Sequence, residues 1–295
     1  MNYVASPSVR AEARRAGVDL SELAKEAGRD RLTRDDLERY ASNSAAAGAG
    51  PNHLRFWDVN HERWGPVTRE PTSRVAQVTT ANLAAAQVVI PQVTNYGRAD
   101  MRRVDAFRAT LADEASARGV KLTALAFHVK ALACCLIEFP RFNASLTPDG
   151  ATLVIKHYVH VGVALDTPHG LVAPVVRDAD RKGVWRIAAE VAELAGRAHE
   201  RKLRADDLGG ASMSISNLGG VRGGAFTPLV NPPEAAIMGI SRTETVPVFE
   251  AGAWSPAPIA PLSFSWDHRV VTGVEAARFL TRYEALVSDP RRMMI

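Results

Sequence analysis

"SFSWDHRVVTG", residues 263–273, is the stretch on which the fold turns. Together with Leu262 it alternates: Leu262, Phe264 and Trp266 project to one side, Ser263, Ser265 and Asp267 to the other, the period of a β-strand. The alternation stops at His268, set between Asp267 and Arg269, and "GVEAARFLTRYEALVSDP" follows with apolar residues at helical spacing. Taken alone, a histidine ending such a strand reads as a polar strand terminus. Whether it does chemistry depends on what surrounds it.

Working outward, "ATLVIKHYVHVGVALDTPHGLVAPVV" reads as strands broken at the Pro-His-Gly turn, and "SMSISNLGG", "AAIMGISR", "TVPVFEAGAWSPAP" and "APLSFSWDH" as further strands. Between and before them, "DMRRVDAFRATLADEASARG" and "KLTALAFHVKALACCLIEFP" read as helices, the second apolar nearly all round and therefore buried, and "GVWRIAAEVAELAGRAHERKL" as an amphipathic one. The expectation over residues 75–295 is an α+β domain with one large mixed sheet carrying helices. Residues 4–41 form a separate mini-domain of two short helices. Ser6 is its first N-cap with Pro7 at the first helical position, Gly17 the stop, Thr33 a second N-cap with Asp36 three residues on, and Val9, Leu20, Leu23, Leu32 and Leu37 a thin core. "SNSAAAGAGP" reads as a tether, so that residues 42–74 are a linker and an arm carrying Trp57 and Trp64.

Composition excludes several classes. The 295 residues are 46% hydrophobic and 23% charged, and no apolar run reaches the roughly 18 residues of a membrane span. The N-terminus lacks the apolar stretch of a secretory signal, so no membrane association and a cytoplasmic location are expected. Cys134 and Cys135 are adjacent in an apolar helical stretch, where neighbouring side chains diverge; they read as buried free thiols rather than a disulfide, and no metal site is indicated. A net charge of +4 and a pI near 9.3 admit nucleic acid, but the arginines are scattered among 32 acidic residues without a basic block, and none is expected to bind.

In "SMSISNLGGVRGGAFTP" a strand of small residues runs into a glycine turn, where Ser216 and Asn217 are placed to offer a hydroxyl and an amide to a ligand. The glycines match neither a dinucleotide fingerprint nor a P-loop. With "DHRVVTG" this chain resembles the acyltransferase (E2) catalytic domain of the 2-oxoacid dehydrogenase complexes, whose signature is D-H-R-x-x-D-G. The resemblance extends over "ANLAAAQVVIPQVTNYGRADM", "FPRFNASL", "VGVALDTPHGLVAPVVRDADRKGV", "SISNLGGVRGGAFTPLVNPPEAAIMGIS" and "DPRRMMI", in family order. "ASPSVRAEARRAGVDLSEL" and "DRLTRDDLERY" resemble the peripheral subunit-binding domain found upstream in that family, with "AKEAGRD" where it has a glycine-rich loop.

The resemblance implies a chloramphenicol-acetyltransferase-like sandwich and acyl transfer between dihydrolipoamide and coenzyme A, the latter a substrate and no group being covalently bound. His268 becomes the base, Ser216 the oxyanion donor and Thr272 the residue at the signature's aspartate position; Asn217, Gly219, Asp267 and Arg269 would line the coenzyme A site. It also implies a homotrimer, with histidine and serine meeting across a subunit contact, and larger cages built through an apolar tail, here Met293, Met294 and Ile295, exposed unless another trimer covers them. Arg10, Arg14 and Arg31 would contact the acidic surface of a 2-oxoacid dehydrogenase (E1) or dihydrolipoamide dehydrogenase (E3) subunit. Two departures stand out: threonine at 272 lacks the carboxylate expected to fix the histidine loop, and none of the six lysines sits in a lipoyl-domain turn, which calls for a lipoyl group supplied in trans by another protein. Two rival readings therefore stay open, an inactive scaffold that recruits partners and an acyltransferase acting on a small-molecule acceptor.

Overall fold

The computed structural model describes residues 4–16, 18–27, 29–37, 40, 59–168, 170–221 and 223–293. The chain divides into two compact units, Met1–Pro71 and Thr72–Ile295.

In the first unit, β1 (Val4–Ala5) precedes α1 (Pro7–Ala16) and α2 (Leu20–Ala27), and β2 (Arg31–Leu32) pairs parallel with β1. The short parallel pair corrects the all-helical expectation, and α2 occupies the stretch read as part of a loop. Ser6 caps α1 by accepting from Val9 N at 3.3 Å. Residues 34–37 are helical, and Asp36 accepts from Thr33 N and Oγ1 at 2.9 and 2.7 Å and pairs with Arg29; the two Thr33 hydrogen bonds, with Arg29, hold its carboxyl down at about 2. Ala5, Val9, Ala13, Leu23, Ala24, Leu32 and Leu37 are buried together, with Leu20 at the margin. Gly17, the tether and Trp57 lie outside the described residues.

The second unit opens with α3 (Arg74–Val89), capped by Ser73, whose hydroxyl accepts from Ala76 N at 3.2 Å. Then come β3 (Gln92–Asp100), α4 (Arg102–Thr110), α5 (Ala112–Ala117), α6 (Ala124–Glu138) and the hairpin of β4 (Ala144–Leu146) and β5 (Leu153–Ile155). β6 (Val161–Thr167), β7 (Gly170–Val172) and β8 (Val175–Val176) lead to α7 (Val184–His199), and β9 (Met213–Asn217), β10 (Ala236–Ile240), β11 (Glu244–Glu250) and β12 (Ala253–Asp267) to α8 (Gly273–Ser288). The eight-stranded sheet has the order β11-β12-β10-β9-β6-β7, with β3 on β12 and β8 on β6. β9 runs parallel to both β6 and β10, and the remaining pairs are antiparallel. This is the expected mixed sheet with helices.

Two local expectations change. The helix over 100–119 breaks at Leu111 into α4 and α5, where Thr110 Oγ1 donates back to Phe107 O at 2.7 Å and competes with the next turn. The pattern over 245–258 splits at Ala251–Gly252 into β11 and the start of β12, and its second half joins the pattern over 260–268 in one 15-residue strand, β12, despite Pro256, Pro258 and Pro261. Its prolines fall where the ladder is incomplete: β12 is paired on one side only over 253–258, and Pro261 sits at the junction between β11, which pairs to Ile259, and β10, which pairs from Leu262.

Register makes the sheet two-faced. Leu262, Phe264, Trp266, Met238, Ile240, Ile215 and Val163 lie on one side and enter the main core, where Phe264 stacks on Phe279 of α8 with centroids 4.8 Å apart. On the other side, small residues face one another across strands: Gly162 beside Ser214, Ala164 beside Ser216, and Gly239 between Ser216 and Ser263. One face builds the core; the other leaves room for a site. Cys135 is buried and Cys134 half-buried, both free.

Candidate active site

Strand β12 carries His268 to its end, and the following turn is clamped at every step. Asp267 donates its N–H to Ala235 O at 2.8 Å, and its buried carboxylate accepts from Arg269 N at 2.9 Å, Nε at 3.0 Å and Nη2 at 2.6 Å. That hydrogen bonding makes the Arg269 guanidinium still more basic. Val270 and Val271, both buried, donate to Asp267 O, and Arg141 Nη2 donates to Val270 O at 2.6 Å. His268 itself donates its N–H to Pro91 O at 3.2 Å, while its ring is exposed, 6.1 Å from that of Trp266. Asp267 and Arg269, expected at the coenzyme A site, are bonded to each other and shape this turn.

Thr272 is the N-cap of α8. Its Oγ1 accepts from Glu275 N at 3.4 Å, and the Glu275 carboxylate accepts from Thr272 N at 2.9 Å and Oγ1 at 3.0 Å, a complete capping box. Holding the histidine turn therefore does not require a carboxylate at 272; the carboxylate comes from Glu275, and the backbone bonds to Thr272 lower its pKa.

Ser216 lies on β9, between Ala164 and Gly239. With Ser214, two residues back on the same face, it lines a cavity of about 360 Å³ closed by Thr79, Asn82 and Leu83 of α3 and by Asn231 from the loop before β10. Asn217 points the other way, as alternation requires, so the two residues expected to act on one ligand open into different cavities. The second cavity, about 520 Å³, is lined by Asn217, Gly219, Lys121, His128 and Arg242. There Asn217 Oδ1 accepts from Gly219 N at 2.9 Å, and a Cβ at 219 would stand 2.9 Å from that oxygen. Buried His128 shares a 2.8 Å hydrogen bond between Nδ1 and Tyr283 Oη, and burial pushes its pKa down to about 4.

Ser216 and His268 do not meet within one chain. Ser216 pairs with Gly239 and Gly239 with Ser263, so His268 is two strands across and five residues along. At about 4.8 Å per strand and 3.3 Å per residue that is roughly 20 Å. Of the partner-contact arginines, Arg10 is exposed and donates Nε–H to Ala5 O at 3.0 Å, and Arg31 is exposed on β2. The Arg14 side chain lies outside the described residues, as do Met294 and Ile295. Met293, expected to be exposed, is buried against the core, because Pro290–Met293 folds back as a 3₁₀ turn.

Sequence reasoning missed Ser214, Asn231 and Glu234, a buried acid behind this cavity wall. A signal was available: Ser214 shares the alternation of Ser216, and Glu234 is a charged residue at the head of an apolar strand.

The sheet thus presents a serine on its small-residue face and a histidine on a clamped turn at the end of β12 as the groups available for chemistry. The family model described as 2-oxoacid dehydrogenases acyltransferase (catalytic domain) matches residues 65–295, and the chain belongs to that family. The dihydrolipoyllysine-residue acetyltransferase component of the pyruvate dehydrogenase complex from Cupriavidus necator is 44% identical over 99% of this chain and 55% of its own length; that from Azotobacter vinelandii is 41% identical over 99% and 47%. The chain thus spans about half the length of the curated relatives it matches. Among solved structures, the cubic core of a pyruvate dehydrogenase multienzyme complex is 43% identical with a TM-score of 0.78, covering 80% of this chain and 98% of that one. An Azotobacter vinelandii dihydrolipoamide acetyltransferase structure with the same identity, TM-score and coverage was solved to investigate the role of a serine, a histidine and an asparagine in its catalytic mechanism.

Proposed function

We propose that this chain transfers an acetyl group between a dihydrolipoyl thiol and coenzyme A, as the acyltransferase core of a pyruvate dehydrogenase complex. The observation that carries the reading is spacing: the serine, histidine and asparagine of the Azotobacter vinelandii enzyme stand the same distances apart in sequence as Ser216, His268 and Thr272.

In this reading neutral His268 takes the proton of the attacking thiol, whose ordinary pKa near 8.5 an imidazole is matched to meet. The thiolate adds to the thioester carbonyl, and the Ser216 hydroxyl donates to the resulting oxyanion. Collapse breaks the original C–S bond, and the departing thiolate takes the proton back from the imidazolium. Because the two side chains are roughly 20 Å apart in one chain, a second copy supplies the histidine to each serine cavity, and the working unit is a homotrimer that builds larger cages. Asn217 and Gly219, with Lys121 and Arg242 in the same cavity, are suited to the anionic coenzyme A. The first unit serves as a peripheral subunit-binding domain, offering Arg10, Arg14 and Arg31 to a dehydrogenase partner.

The test is thioester formation from acetyl-CoA and dihydrolipoamide by purified wild type and His268→Ala. Transfer by wild type and a loss of at least about 100-fold in the variant is expected; equal rates would end the reading.

A further inference from the structure

Behind the Ser216 cavity lies a carboxyl that the mechanism above does not use. Glu234 follows the Pro232-Pro233 pair and is 6% exposed. Its Oε1 accepts from Ser214 Oγ at 2.9 Å and from Asn231 Nδ2 at 3.4 Å, and Oε2 has no partner among the described residues. Both donors line the cavity with Ser216. Ser214 is fixed from the other side as well, since a Cβ on Gly162 would come within 2.3 Å of its Oγ.

We infer that Glu234 is a positioning residue of the acyltransferase site: it anchors Ser214 and Asn231 in the wall beside Ser216, and its charge acts on the oxyanion formed there. The inference rests on the acyltransferase reading and deepens it. Ser214 and Ser216 are two residues apart on one strand face, so the carboxyl lies behind a wall whose adjacent serines are roughly 7 Å apart. With its Oε1 2.9 Å behind Ser214 Oγ, the carboxyl stands within roughly 10 Å of an oxyanion at Ser216, and at that range in a protein interior a negative charge opposes the oxyanion, whereas a neutral acid does not. The charged group set against Glu234 among the described residues is Lys156, just after β5, whose ammonium donates to Ala211 O at 3.0 Å and is itself made less basic by burial. Burial outweighs that cation and the two hydrogen bonds, and pushes the Glu234 carboxyl up to about 7. Near neutrality the residue therefore changes between the form that permits the oxyanion and the form that opposes it.

The experiment is kcat/KM for acetyl-CoA and dihydrolipoamide from pH 6 to pH 8.5, using the full chain as wild type, Glu234→Gln and Ser214→Ala. Every other pH-dependent step is common to wild type and Glu234→Gln and cancels in their ratio. That ratio is expected to rise at least threefold in favour of Glu234→Gln as pH increases, because only the wild type gains a charge. In Ser214→Ala the anion loses a hydrogen bond, so the midpoint of the alkaline decline moves upward; this variant decides the matter if Glu234→Gln fails to fold. A ratio flat with pH, or a midpoint unmoved in Ser214→Ala, overturns this inference alone. No turnover by wild type overturns the acyltransferase reading and this inference with it.

Discussion

His268 and Ser216 differ in what the fold does for them. The histidine backbone is fixed by Pro91, and its neighbour Asp267 by Ala235 and Arg269, while the ring stays exposed, as the proposed contact with another copy's cavity requires. Ser216 sits in a sheet, held by two strands, and needs only its rotamer to be set. Ser216→Ala should therefore lower kcat by about 100-fold, the loss of one oxyanion donor, with KM for acetyl-CoA little changed, measured by the thioester assay. Glu234 makes a second, assay-independent prediction. Its folded pKa is about 7, against 4.5 for an ordinary glutamate, so between those values the native chain holds a proton that the unfolded chain releases. Stability from this residue is present below pH 4.5 and is lost as pH rises through 7, by up to about 3 kcal/mol. Thermal melts should show Glu234→Gln gaining on wild type from pH 5 to pH 8; a constant difference would show that the carboxyl titrates normally.

Helix α8 and strand β12 decide how the histidine turn is held. A carboxylate at 272 is one way to organise the turn, but Thr272 with Glu275 meets the same demand, capping α8 while Val270 and Val271 anchor the preceding residues. Replacing Thr272 with alanine should cost about 1 kcal/mol, a Tm decrease of about 2–4 °C for a unit of this size, whereas Thr272→Asp keeps the cap. Scanning calorimetry of the three proteins checks this. The elements themselves could be read from sequence wherever one period ran uninterrupted: α6, α7, α8 and the end of β12 lie where their patterns placed them. The failures share a cause, in that a non-local partner outweighed a local signal. The strand pattern over 245–258 runs through the turn at Ala251–Gly252, because sequence does not show that β11 and β12 pair with each other there. Ser216 and Asn217 read as one ligand pair because they are adjacent, although alternation sends them to different cavities. Glu234 is not legible in the sequence because the groups it meets, Ser214 on β9 and Lys156, are brought to it only by the fold.

At the scale of the whole molecule, the two-faced sheet supports the proposed second copy. Helices α6 and α8 fill the apolar face, so the site has only the small-residue face to occupy, and α3 covers part of it with Thr79, Asn82 and Leu83. The same helix leaves Val78, Val88 and Val89 exposed, and Val93 follows on β3; apolar residues on the element that closes the serine cavity suit a contact between copies. If His268 of one copy serves Ser216 of its neighbour, then Ser216→Ala and His268→Ala remove opposite halves of one site. Each homotrimer should be inactive, but chains co-expressed in equal amounts will pair an intact histidine with an intact serine at about a quarter of the contacts in a randomly mixed cyclic assembly. Activity should return to about a quarter of wild type, with sedimentation showing a trimer or a multiple of it. If every site were instead built within one chain, each would carry one lesion or the other, and mixing would restore nothing.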